Sequence, residues 1–78
     1  MKPLVTEKAV MLIESQNILA FEMEKNKTKP EIKDEIEKMF NVKIEKLRAS
    51  IRNNKKYVYA KLKKEFPAID VATKLGII

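Results

Sequence analysis

Lys46, Arg48, Arg52, Lys61 and Lys63 alternate with apolar residues, and Tyr57 and Tyr59 fall in the same phase. On a pleated strand, residues in one phase share one face. Cationic side chains of this length reach phosphate oxygens, and each neutralised phosphate releases counterions. Rings two residues apart project side by side and can stack unpaired bases. This is the chemistry of nucleic-acid recognition. Residues 43–64 hold nine basic residues and one acidic residue, a net +8. The whole chain is +6, so the remainder sums to −2. The positive charge is thus concentrated on one element. The competing reading is a plain solvated face, with Tyr57 and Tyr59 packing over lysine stems.

Two further groups of cations are candidates. Asn53-Asn54-Lys55-Lys56 forms the expected hairpin tip, although a turn favours Asn and lysines protect sheet edges for reasons unrelated to RNA. Lys27 and Lys29 flank the expected start of a helix, where they oppose its dipole. A phosphate bound there would account for that placement.

Other chemistry is poorly supplied. The chain has no Cys, so it has neither disulfides nor thiolate metal sites, and no His, the commonest metal ligand and general base. One Gly cannot build a phosphate-cradling loop. Ser15 and Ser50 have no His to activate them. The carboxylates lie mostly on solvated helix faces beside lysines. We therefore expect no enzyme, no cofactor and no small-molecule substrate. The longest apolar run, Ala9 to Ile13, is far short of the roughly 20 residues of a membrane span. The opening lacks the apolar core of a signal peptide. The cytosol is the expected compartment, with no membrane insertion. High Lys and Glu content also suits a heat-loving source.

Seventy-eight residues make one domain, which buries only about 60% of its unfolded surface. With 45% hydrophobic residues it can still fold. Thr6 caps a first helix in which Ala9, Leu12 and Ile13 share a face, with Val5 and Val10 at staple positions. Ser15-Gln16-Asn17 ends it. Residues 18–25 alternate as a strand, with Leu19, Phe21 and Met23 on one side. Thr28 and Glu31 form a capping box around Pro30. Ile32, Ile36, Met39 and Phe40 make a helical stripe, and Lys33/Glu37 and Asp34/Lys38 pair on the outer face. Asn41 stops this helix.

A hairpin follows. Leu47, Ala49 and Ile51 form the apolar phase of its first strand and Val58, Ala60 and Leu62 that of its second, with Ala49 opposite Val58 and Leu47 opposite Ala60. A two-residue Asn53-Asn54 turn sets Ser50 opposite Tyr57, Arg48 opposite Tyr59 and Lys46 opposite Lys61. A four-residue loop keeps the same faces. A one-residue slip would put lysines into the core. Val42 and Ile44 are out of phase, so either a bulge intervenes or the second face is also covered there. Ile18 and Ala20 also point to their second face, suggesting a small second apolar patch. Pro67 opens a last helix carrying Ile69, Ala72 and Leu75, and Gly76 ends it. The expected fold is α+β, in the order α-β-α-β-β-α, with a small, mainly antiparallel sheet.

Several segments together resemble a known family. They are Pro3-Leu4-Val5-Thr6-Glu7-Lys8-Ala9, Asn17-Ile18-Leu19-Ala20-Phe21, Asn41-Val42-Lys43-Ile44, Lys55-Lys56-Tyr57-Val58-Tyr59-Ala60-Lys61-Leu62, and the ending Asp70-Val71-Ala72-Thr73-Lys74-Leu75-Gly76-Ile77-Ile78. In this order the chain resembles the universal large-subunit ribosomal protein family number twenty-three, in its short archaeal form. The resemblance implies an early-assembling protein on large-subunit ribosomal RNA, beside the exit of the nascent-peptide tunnel. It implies neighbouring large-subunit ribosomal proteins, a docking point for the signal recognition particle, and a cytoplasmic, ribosome-bound location. Carried over, Thr6 and Lys8 belong to the RNA-facing opening motif. Asn41 and Lys43 match the helix-to-strand junction, and Lys55, Lys56, Tyr57 and Lys61 match the basic hairpin arm. Bacterial relatives have a long tip that enters the tunnel. Here about four residues separate the strands, too few to line it.

Two other functions compete. One is a free-standing single-stranded RNA module with Tyr57 and Tyr59 as its platform, although KKYVYAKL lacks the glycines of the RNA-recognition-motif strand. The other is a protein-interaction module using Ile18, Ala20, Val42 and Ile44, which is compatible with RNA binding.

Overall fold

A computed structural model describes residues 2–24 and 26–76. Met1, Lys25, Ile77 and Ile78 lie outside the described residues, and with them the end of the expected first strand and the last two residues of the closing motif. The elements are β1 (Lys2–Pro3), α1 (Glu7–Gln16), β2 (Ile18–Met23), α2 (Lys29–Phe40), β3 (Ile44–Arg52), β4 (Lys55–Leu62) and α3 (Ala68–Leu75). The α+β class and the order of the six expected elements hold. β1 is additional, and two residues are too few to leave a periodic signal.

The strands form one antiparallel sheet in the order β1-β2-β4-β3. β4 lies in the centre, and α2 carries the chain from β2 across to β3. β3 and β4 close through Asn53-Asn54 alone, with Arg52 paired to Lys55. Both asparagines have positive φ, 50° and 65°, as a type I′ turn requires. The tip is therefore two residues, and Lys55 and Lys56 belong to β4. The expected pairs Ser50–Tyr57, Arg48–Tyr59 and Lys46–Lys61 all form.

The phase break is a bulge. Ile44 pairs with Leu62 and Lys46 with Lys61, which leaves Glu45 as the extra residue. The bulge returns Ile44 to the core side. Val42 and Ile44 join the main core with Leu19, Phe21, Val58, Ala60 and Leu62. Ala20 is also buried, outside that cluster, on the strand that α1 packs along. The second apolar patch thus does not exist as one surface, and the protein-interaction reading loses its support.

Local signals explain most element ends. Thr6 Oγ1 accepts from the Ala9 N–H at 3.1 Å. Asn17, Asn41 and Gly76 stop the three helices in the left-handed region. Other expectations need correction. Thr28 caps α2 by backbone position alone, without a side-chain hydrogen bond, so the capping box does not form. Val5 stays exposed and adds little as a staple. Met39 and Ile69 are exposed, whereas Ala68 and Val71 are buried in α3 beside Ala72. Each helix is rotated by its packing so that a stripe narrower than its apolar set meets the sheet. Phe40 remains on that stripe and stacks on Phe21, with ring centroids 5.9 Å apart. Burying Phe21 fully contributes about 1.5–3 kcal/mol. Among the described residues, Lys33/Glu37 and Asp34/Lys38 form no ion pairs. Glu37 instead accepts from the Ile44 N–H at 2.9 Å, and so ties α2 to the bulged start of β3.

Asn17 joins the elements at the open end of the hairpin. Its Nδ2 donates to the carbonyls of Leu62 (3.1 Å), Lys63 (3.3 Å) and Phe66 (3.1 Å), and its Oδ1 accepts from the Ala68 N–H. One side chain thus fixes the ends of α1 and β4 and the start of α3.

Candidate nucleic-acid interface

The sheet has one face turned to the core and one turned away from it. The alternation of β3 and β4 sets Lys46, Arg48, Ser50 and Arg52 beside Lys55, Tyr57, Tyr59 and Lys61 on the outer face. β2 adds Ile18, Ala20 and Glu22 in register with Lys61, Tyr59 and Tyr57. α1 packs along β2. Its Ile13 enters the core, while Lys8, Leu12 and Gln16 border the outer face. The result is a groove of about 320 Å³ lined by Leu12, Ile18 and Tyr59 together with Gln16 and the cations Lys8, Lys46, Arg48 and Lys61.

Lys46 stands directly opposite Lys61. Like charges in that relation destabilise a strand pair. Among the described residues no carboxylate pairs with either of them, and Lys8 and Arg48 are also without ion pairs. Glu14 and Lys61 line a neighbouring depression together but make no ion pair. Four cations are therefore left available around one tyrosine ring.

The turn end differs. Lys55 Nζ lies 3.0 Å from Glu22 Oε1, and Lys27 Nζ lies 2.8 Å from Glu35 Oε2. The hydrogen bond that Lys27 donates to Glu35 holds its ammonium above the usual lysine range, and the one that Lys55 donates to Glu22 does the same for Lys55. Lys27 thus has a partner inside the chain, which offsets its unfavourable position before α2. Lys56 falls in the phase of Val58 and Ala60, on the core side, and its Nζ donates to the Lys27 carbonyl. It is not on the face that carries Tyr57 and Tyr59.

The other expected residues are spread out. Lys43 and Lys63 are exposed beside the open end, where the Lys63 N–H donates to the Lys43 carbonyl at 3.1 Å. Arg52 is exposed at the turn. Lys29 is exposed in the first turn of α2, and Asn41 is exposed at its C-cap. Thr6 uses its hydroxyl as an acceptor in the α1 cap. The sequence reading missed Leu12, Gln16 and Ile18. Their signal was available: Lys8, Leu12 and Gln16 are spaced by four, which puts them on one helix face.

Among the described residues, no helix is long and apolar enough to cross a membrane. A family model described as ribosomal protein L23 matches residues 1–73. With nearly the whole chain matched, and with the expected antiparallel sheet and helices in place, the chain belongs to the ribosomal protein L23 family, structural proteins of the large ribosomal subunit.

Proposed function

We propose that this chain binds large-subunit ribosomal RNA with the open end of the β3–β4 face and the adjoining rim of α1. The supporting observation is the unrelieved Lys46–Lys61 pair beside Lys8, Arg48 and Tyr59. In isolation that pair opposes folding; against a phosphate backbone it becomes an attraction, and counterion release drives binding. Lys43 and Lys63 extend this surface, and Arg52 and Tyr57 continue it toward the turn. Thr6, Lys27, Lys29, Asn41, Lys55 and Lys56 have a smaller share. Of these, Lys27, Lys55 and Lys56 already have intramolecular partners, and Thr6 has its cap.

Family membership supports the wider setting. The chain sits beside the nascent-peptide exit among other large-subunit proteins, in the cytoplasm and bound to ribosomes, and contributes to the docking site of the signal recognition particle. A two-residue tip is too short to line the tunnel. A free-standing single-stranded RNA module is the weaker reading, because of the two rings only Tyr59 lines the cationic groove, so Tyr57 and Tyr59 do not act there as one platform.

Binding of the full chain to deproteinised large-subunit RNA tests the proposal. Affinity falls steeply and log-linearly with salt, and the native protein sediments with large subunits. Finding the protein wholly free of ribosomes in cell extract would overturn it.

A further inference from the structure

The groove between α1 and the sheet differs from a flat cationic face. Its floor is apolar and aromatic, formed by Leu12, Ile18 and the Tyr59 ring, and around it stand four cations that make no ion pairs among the described residues. A double helix presents phosphates but no free base to such a floor. A lone phosphate would leave the floor unused. One side chain on the groove, Gln16, carries both an amide donor and an acceptor, the pair of functions that reads a base edge. Tyr57, two residues from Tyr59, lies outside the groove and in register with Glu22. The two tyrosines, equivalent in the sequence pattern, are therefore not equivalent in the fold.

We propose that this groove holds a single unpaired nucleotide extruded from the RNA. The base stacks on Tyr59 against Leu12 and Ile18, the Gln16 amide meets its edge, and Lys46, Arg48 and Lys61 hold the flanking phosphates. Lys8 closes the rim from α1. The inference rests on the ribosomal RNA reading above, and it specifies the kind of RNA element recognised. Base–aromatic stacking is sequence-tolerant, so Tyr59 sets the need for an unstacked base, while Gln16 sets any preference among bases.

The test uses the full chain and deproteinised large-subunit RNA. Ultraviolet crosslinking of the complex locates the nucleotide at Tyr59, and a synthetic RNA fragment is then made with that position abasic. Tyr59→Leu should weaken binding to the intact fragment about tenfold, while Tyr59→Phe binds as the parent does. The abasic fragment should bind the parent about tenfold more weakly and show no further loss with Tyr59→Leu. Leu12→Trp, a change on the helix surface that fills the groove, gives a second reading should Tyr59→Leu fold poorly. It should also weaken binding about tenfold, with the salt slope unchanged. If Tyr59→Leu and Leu12→Trp both fold and bind like the parent while binding stays steeply salt-dependent, the nucleotide pocket is overturned and the phosphate-binding face survives. Crosslinks from Tyr59 to base-paired RNA would overturn the pocket in the same way. If the parent shows no salt-sensitive binding at all, the RNA reading itself fails and the pocket fails with it.

Discussion

The two ends of the β3–β4 hairpin are built from the same residue types and present different surfaces. At the turn end, Lys55 and Lys27 are held by Glu22 and Glu35, and Lys56 is bound to a backbone carbonyl. At the open end, Lys46 and Lys61 face each other unrelieved, with Arg48, Lys8 and a tyrosine ring beside them. Formal charge is therefore a poor guide to available charge. A lysine that already donates to a carboxylate must lose that bond before it meets a phosphate. A lysine pressed against another lysine gains twice, since the phosphate both attracts it and removes a repulsion.

The largest effect expected from testing this contrast is on the fold that holds the open end together. Asn17→Ala removes the donors to Leu62, Lys63 and Phe66 and the acceptor of Ala68, and leaves Ala at φ 58°. The loss should be about 3 kcal/mol, read from urea unfolding. Retained stability would show that α3 and the open end are held by packing alone.

Next comes the double reversal Lys46→Glu/Lys61→Glu. Both positions keep a like-charge pair, so the direct repulsion between them is retained. RNA affinity should fall on the order of 100-fold at fixed salt, and the salt slope should drop by about two. A smaller effect is expected at the turn end, where Lys55→Gln should weaken binding by less than about threefold. Equal losses at the two ends would break the distinction between them.

The smallest effect concerns pH. Lys27 and Lys55 have folded-state values raised above 10.5 by their carboxylate partners. Their contribution is fully present below 10.5 and is lost as pH rises through the higher folded values. The urea midpoint should thus be insensitive to these two groups from neutral pH to about 9. It should fall slightly in strong alkali, and Lys27→Gln/Lys55→Gln should remove that component.

Much of the fold was legible because its signals are local. A period of two assigned the faces of β3 and β4, and only one register kept lysines out of the core. Asn17, Asn41 and Gly76 marked helix ends because each tolerates positive φ. The length of the turn was not legible, because two and four residues give the same facing. Met39 and Ile69 were misassigned because several apolar stripes fit a short helix, and only the packing direction selects one. Strand phase alone left Val42 and Ile44 open between a bulge and a covered second face; the bulge holds, and it separates them from Ile18 and Ala20.

The sequence by itself determined that one hairpin face gathers Lys, Arg and Tyr, since alternation and charge are properties of neighbouring residues. Only the tertiary structure decided which of those cations remain available. Glu22 reaches Lys55 and the Lys27 carbonyl reaches Lys56 from elements about thirty positions away. Lys8, Leu12 and Gln16 reach Tyr59 from a helix some fifty positions before it. A pair of charges acts through distance in space, and strand alternation contains no information about which distant carboxylate, carbonyl or helix face will arrive beside it.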